Sequence, residues 1–377
     1  MPLRFDRVVA LGLAVGSFAV AQVPAPVNFD TLPRPLVPAD PLELVTGAAQ
    51  AVGNAEQRIQ AIALLNRARD LSNVRAQPYD LKTTFTSSGG LASDGNWSLE
   101  DISPGRGIYR WTAQGPSFSI VNLYPNSTQG LLYSNRAAGT AVPLRPAQAR
   151  EAMFFVYPMA GPQASIRTAT GYINGAEQRC VLVAMAMRGQ VLAGPRNWDE
   201  SEFCADAGTG LLTTFSPAPG LFVHYDYTSA VKFHGKTIAG GFTITEGGRA
   251  VIEARTQSVG EPPDAKSPLF DAAGMATVGV GREMTPPLQM RVLVPVPGPR
   301  LNTPIADPVI QVVVVHGGTG PDGHLSETEI LASTDANLNQ AALDRAGVWS
   351  GLGGRAQPGA TGQSHEAFLT FQFVTSR

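Results

Sequence analysis

Between residues 79 and 259 the chain is a succession of short strand-forming runs broken by turn residues, and this constrains the fold more than any other feature. Residues 79–87 alternate apolar and polar side chains. Further runs lie at 95–100, 107–113, 118–123, 130–135, 165–173, 178–187, 210–216, 221–232, 236–245 and 250–259, separated by Gly, Asn, Asp, Ser and Pro. A helical stretch precedes them at 48–71, with Ile59, Ile62, Ala63 and Leu71 able to line one face, and residues 147–157 read as a second helix. Many consecutive strands with short connections make an antiparallel sheet, and one face of such a sheet must be covered. The expected class is α+β, mostly antiparallel β: an open curved sheet, or half-barrel, around a covering helix.

Composition narrows the partners. The chain has 28 basic and 30 acidic residues among 377, which argues against a broad nucleic-acid footprint. Forty Gly and 30 Pro, with only 15% charged residues, suit short strands and turns. Prolines cluster twice, from Pro24 to Pro41 and from Pro262 to Pro308, and such stretches resist helix. The resulting division is a leader at 1–21, a spacer at 22–45, a half-barrel domain at 46–258, a linker at 259–300 and a small domain at 301–377.

The leader sets the compartment. Arg4 and Arg7 precede the apolar run 8–20, which ends in Ala19-Val20-Ala21, the form of a secretory signal peptide. The run is shorter than the roughly 20 apolar residues of a spanning helix. A periplasmic or secreted protein of the bacterial cell envelope is expected. In such a compartment the two cysteines, Cys180 and Cys204, are expected to form a disulfide. Asp199, Glu200, Glu202 and Asp206 read as a solvated acidic loop between them.

The last seventy or so residues have a different order. An apolar run at 309–315 is followed by a Gly-rich turn at 317–323, a second strand at 325–332, a short helix at 338–348 and a closing strand at 367–374. With Asp322-Gly323 at the turn, Ser333-Thr334 after the second strand, Ala341-Ala342-Leu343-Asp344 on the helix and Trp349 at its end, this stretch resembles the C-terminal domain of TonB-type energy transducers. The pattern departs where Gly351, Gly353 and Gly354 follow Trp349 and the proline waits until Pro358. The resemblance implies a protein-binding module using an exposed β edge, supplied by the closing strand with Phe371 and Phe373 or by an exposed neighbour.

In the larger domain, Gly95-Asn96-Trp97-Ser98-Leu99-Glu100, then Pro104, then Tyr109-Arg110-Trp111, together with the strand–turn–strand ending in Glu253-Ala254-Arg255-Thr256, resemble the LolA/LolB type of lipoprotein carrier. The resemblance implies an unclosed barrel capped by helices, with an apolar interior for a lipid or lipoprotein acyl chain. Trp97, Tyr109, Trp111, Phe118, Ile120, Leu132 and Phe154 are the candidate ligand contacts. For any one of them a filled core is the better reading, and the cavity rests on the architecture and not on these side chains.

Catalytic chemistry finds little support. His316-Gly317-Gly318-Thr319-Gly320 has the look of an oxyanion loop, but no Gly-x-Ser-x-Gly nucleophile elbow accompanies it. His224, His234, His316, His324 and His365 form no zinc-ligand pair, and no P-loop or dinucleotide fingerprint occurs. No catalytic residue, cofactor or metal is expected. The reading is a non-enzymatic envelope protein joining an apolar-ligand carrier to a TonB-like module. The alternatives are a TonB-type energy transducer with a retained anchor and an envelope hydrolase. Against the first, residues 24–41 extend only about 55 Å.

Overall fold

The computed structural model describes residues 49–125, 130–136, 142–154, 164–184, 196–198, 200–280, 288–295, 308–319, 324–348 and 365–376. The expected leader and spacer, Asp199, Trp349 and the glycines that follow it lie outside these residues. Among the described residues no helix is long and apolar enough to cross a membrane.

In chain order the elements are β1 (Gln50–Ala51), α1 (Ala55–Ser72), β2 (Tyr79–Ser87), β3 (Gly95–Gly105), β4 (Ile108–Gln114), β5 (Ser119–Tyr124), β6 (Leu131–Ser134), α2 (Leu144–Phe154), β7 (Ser165–Ile173), β8 (Ala176–Ala184), β9 (Ser201–Asp206) and β10 (Leu212–Ser216). There follow β11 (Leu221–Asp226), β12 (Val231–Phe233), β13 (Lys236–Ile238), β14 (Gly241–Glu246), β15 (Arg249–Gly260), β16 (Ala276–Val280), β17 (Leu288–Pro295), β18 (Pro308–Thr319), β19 (Leu325–Ser333), α3 (Asn339–Gly347) and β20 (His365–Ser376).

Fourteen strands form one antiparallel sheet in the order β1-β7-β8-β9-β10-β11-β14-β15-β2-β3-β4-β5-β6-β16. Its end strands, β1 and β16, do not pair with each other, so the sheet is open, as the strand pattern requires. The connections explain the helices. Strand β6 lies near one edge and β7 near the other, so the chain must recross the sheet, and α2 makes that crossing. Helix α1 leads from β1, at the far edge, to β2 in the middle. Both helices cover the same face: the Tyr225 hydroxyl of β11 donates to the Ala152 carbonyl of α2 at 2.7 Å, and two residues along, Tyr227 bonds Ser72 of α1.

Helix α1 starts later than its periodicity suggests. Gln50 and Ala51 pair with Thr168 and Arg167 of β7, and Asn54 then caps the helix by accepting from the Gln57 amide at 2.9 Å. Its buried stripe is Ala61, Leu65, Ala68 and Ser72, while Ile59 is 66% exposed. The small residues Ala61, Ala68 and Ser72 in this stripe let the helix approach the strands closely.

Strand β9 falls where a solvated acidic loop was expected. Glu200 and Glu202 are buried. Glu200 is paired with buried Arg167, and Glu202 lies 3.7 Å from buried Arg196. The acids are internal because two arginines meet them there, which their local sequence does not reveal. Cys180 and Cys204 face each other on β8 and β9 and form a disulfide.

Two strands lie in the stretch read as a linker. β16 pairs with β6 as the last strand of the large sheet, and β17 pairs with β20. Both are edge strands, where nearby prolines are tolerated because one side of the backbone needs no ladder partner.

The C-terminal sheet has the order β17-β20-β18-β19, with β20 antiparallel to β18 and parallel to β17. Strand, hairpin, strand, helix and strand follow one another as expected from the sequence. The closing strand does not supply an edge, however. β20 lies inside the sheet, and Phe371 and Phe373 are buried with Val313, Val315, Ala342 and Ala346 beneath α3. The alternate residues of the same strands, Val312, Val314, His316, Phe368 and Thr370, are buried as well. Both faces of this sheet are therefore covered, which is why 312–315 reads as an unbroken apolar run. The edge positions belong to β17 and β19. Helix α2 contacts β3 and β15 of the large sheet and β20 of the small one, so it forms a middle layer between them.

Candidate functional site

The expected ligand contacts are mostly packed core. Trp97 stacks on Phe85 with ring centres 6.0 Å apart, and its Nε1–H donates to the Ser93 carbonyl at 2.9 Å. Phe118 lies 5.9 Å from Trp97, with the Arg136 guanidinium over its other side. Trp111 is buried beneath the Arg150 guanidinium, 4.9 Å from the ring centre. Ile120 and Leu132 are buried. Phe154 packs against Tyr79, and Arg75 sits over both Phe154 and Tyr109. Trp97 and Phe118 are in ring contact with each other, and Trp97 borders a groove. That one, about 750 Å³, is a trough lined mainly by exposed polar residues such as Thr84, Asn96 and Arg255.

A second groove, about 630 Å³, lies between α1 and strands β7 and β8. Ala61, Leu64, Ala169 and Val181 form its apolar lining, and Gln57, Gln60, Thr168, Thr170 and Arg179 its polar rim. None of the seven expected contacts lines it. It lies under the N-terminal helix, where an apolar groove was expected, but towards the opposite end of the sheet from Trp111.

A dense polar cluster surrounds α2. Arg145 is fully buried, and its Nη1 donates to both oxygens of Glu246 at 2.9 Å, while Nε donates to Asp94 at 3.2 Å. Gln148 donates to Glu246 at 2.6 Å. Arg150 pairs with Asp101 at 2.6 Å. From the C-terminal sheet, Glu327 accepts from the backbone amides of Ser93 at 2.7 Å and Leu144 at 2.5 Å. His316, also fully buried, sits between Glu329 at 2.9 Å from Nδ1 and Glu366 at 2.8 Å from Nε2, and stacks on Phe368.

The environment sets the protons. Burial opposes charge on His316, but its hydrogen bonds to the accepting carboxylates of Glu329 and Glu366 outweigh it and raise its pKa to about 10. Burial and the adjacent Glu329 carboxylate push Glu246 up to about 7. Glu329 is also penalised by burial, yet His316 and Glu246 hydrogen-bond to it and bring it down to about 2. Burial and the neighbouring Glu366 push Glu151 well above the usual carboxylate range. His316 Nδ1, Glu246 and Glu329 lie close enough to converge on one cation. Arg145 and the His316 proton already supply positive charge there.

Comparison with known proteins places no family on this chain. No protein-family model matches it. No curated protein matches it. Among solved structures, a LolA superfamily protein from Nitrosomonas europaea overlaps 56% of this chain and 97% of its own, at 9% identity and a TM-score of 0.37. A putative outer membrane lipoprotein-sorting protein domain from Vibrio parahaemolyticus overlaps 58% of this chain and 98% of its own, at 8% identity and a TM-score of 0.34. These are loose likenesses.

Sequence reasoning did not find the cluster. Arg145, Glu246, Glu327, Glu329 and Glu366 are scattered over more than 200 positions and look like ordinary solvated charges. One signal was available: Glu366 continues the alternation Phe368, Thr370, Gln372 on a strand whose other face is apolar from Ala367 to Phe373.

Proposed function

We propose that this is an exported, non-enzymatic cell-envelope protein that carries an apolar ligand in the groove between α1 and strands β7 and β8. The observation that carries the reading is the groove itself. Its volume of about 630 Å³ falls within the range of small-molecule sites, and its floor is Ala61, Leu64, Ala169 and Val181. Export fits the disulfide, which persists in oxidising compartments, and the Arg-flanked apolar leader. The ligand class best suited to an apolar floor with a polar rim is a lipid or acyl chain. A protein-contact role for the C-terminal sheet through its edge strand β17 is a second part of the same reading, in place of the buried Phe371 and Phe373.

The test is titration of the purified protein with a fluorescent fatty acid, alongside mass spectrometry of co-purifying lipids. Saturable binding at one site is expected, weakened at least tenfold by Leu64→Lys at the half-buried floor. Absence of saturable binding, or equal binding by Leu64→Lys, would make the domain a scaffold.

A further inference from the structure

The groove reading leaves the charged layer around α2 unused, although it holds fully buried ionisable groups such as Arg145 and His316. Every element packed there contributes. Helix α2 brings Arg145, Arg150 and Glu151; the turn before β3 brings Asp94; β3 brings Asp101; and β14 ends in Glu246. From the C-terminal sheet come His316 on β18, Glu327 and Glu329 on β19 and Glu366 on β20. Asp101 is neutralised by Arg150, and Glu327 is held by backbone amides. What remains at the seam is Asp94, Glu151, Glu246, Glu329 and Glu366, met among the described residues by the cations Arg145 and His316, with Arg150 of the Asp101 pair also acting on Glu151. Glu246 and Glu329 set carboxylate against carboxylate, with oxygens within 4.8 Å of each other, and buried Glu151 lies beside Glu366. Buried like charges this close repel, so such pairs favour holding a proton.

We propose that this seam is a pH-sensitive clasp, which holds the C-terminal sheet against α2 in mild acid and loosens it as the pH rises past neutrality. The geometry supplies the device. The facing carboxylates belong to opposite layers, so full ionisation sets those of the C-terminal sheet against those of α2 and β14. Apolar contacts such as Leu144 near Gly318 also join these layers, so ionisation is expected to loosen the seam and not to unfold the sheets.

The direction follows from linkage. Glu246 is raised from 4.5 to about 7, so its contribution to docking is present below the ordinary value and is lost as pH rises through 7. Glu151 acts in the same sense. His316, raised from 6.5 to about 10, contributes fully below 6.5 and loses its contribution as pH rises through 10. Glu329 acts oppositely: it favours docking above 4.5 and loses that contribution as pH falls towards 2. Docking is therefore strongest in mild acid.

Hydrogen exchange of the full-length protein, corrected for intrinsic rates, reads the clasp. Protection of amides in 144–154 and 365–376 is expected to fall roughly tenfold or more between pH 5.5 and 8.5, while β2 at the centre of the large sheet keeps its protection. Glu246→Gln, which mimics the protonated acid, is expected to keep the protection seen at pH 5.5 and flatten its decline. Should that variant not fold, Glu151→Gln reads the same quantity. Unchanged protection across the range, a parallel loss in β2, or an undiminished decline in the folded variant would overturn the clasp. These outcomes are independent of fatty-acid binding.

Discussion

Arg145 of α2 directs Nη1 at both carboxylate oxygens of Glu246, 2.9 Å from each, with the arginine side chain fully buried and the glutamate 2% exposed. The pair ties the middle layer to the large sheet. Glu327 and Glu329 of the C-terminal sheet reach Leu144 and Arg145 of the same helix. Part of the contact between the two sheets therefore runs through one short helix and is made by charge.

Removing the cation should expose the cost. Arg145→Met leaves Glu246, Glu329 and Asp94 buried or half-buried without their shared partner, and at pH 8 it should destabilise the protein by about 3–5 kcal/mol. Urea denaturation measures this. A loss below about 1 kcal/mol would mean that water reaches the site and screens it.

Trp97 separates a ligand contact from a core residue. Its ring stacks on Phe85, and a side chain at Gly115 would collide with it. Trp97→Ala should cost about 3–5 kcal/mol whether or not fatty acid is present. Trp97→Phe, which loses the bond to Ser93 and part of the ring volume, should cost less than Trp97→Ala, about 1–3 kcal/mol. If Trp97→Ala were as stable as the parent but bound ligand poorly, Trp97 would belong to a site after all.

Gly220 marks a close approach of the two sheets. It has φ +89°, and a Cβ there would overlap the Leu331 carbonyl of β19. Gly220→Ala should destabilise the protein by about 1–3 kcal/mol and raise hydrogen exchange in β19 more than in β2. Equal effects on both strands would show that the strain is confined to the β10–β11 turn.

The disulfide should be complete in exported protein. Thiol titration of the unfolded, unreduced chain is expected to find no free thiol, since Cys180 and Cys204 account for both cysteines. The bond closes a loop of sequence separation 24. Cys180→Ser with Cys204→Ser should lose about 3 kcal/mol, chiefly by freeing the unfolded chain. Two reactive thiols in material from the native host would contradict export.

Local pattern carried much of the architecture. Strands β2 and β7 were legible to the residue, because alternation and flanking turn residues are properties of neighbours in sequence. The open antiparallel sheet, the helices and the strand–hairpin–strand–helix–strand order near the C-terminus follow from the same periods. What the chain alone did not disclose is where its faces point. Phe371 and Phe373 suit an edge or a core equally, and only the insertion of β20 between β17 and β18 buries them. Glu200 and Glu202 read as solvated until Arg167 and Arg196 arrive from elsewhere in the chain. Glu246, His316, Glu329 and Glu366 become one cluster only when two sheets close on α2. Hydrophobic period is set within a strand. The partner of a buried charge is set by the fold, because desolvation and Coulomb attraction act across space and leave no spacing in the sequence.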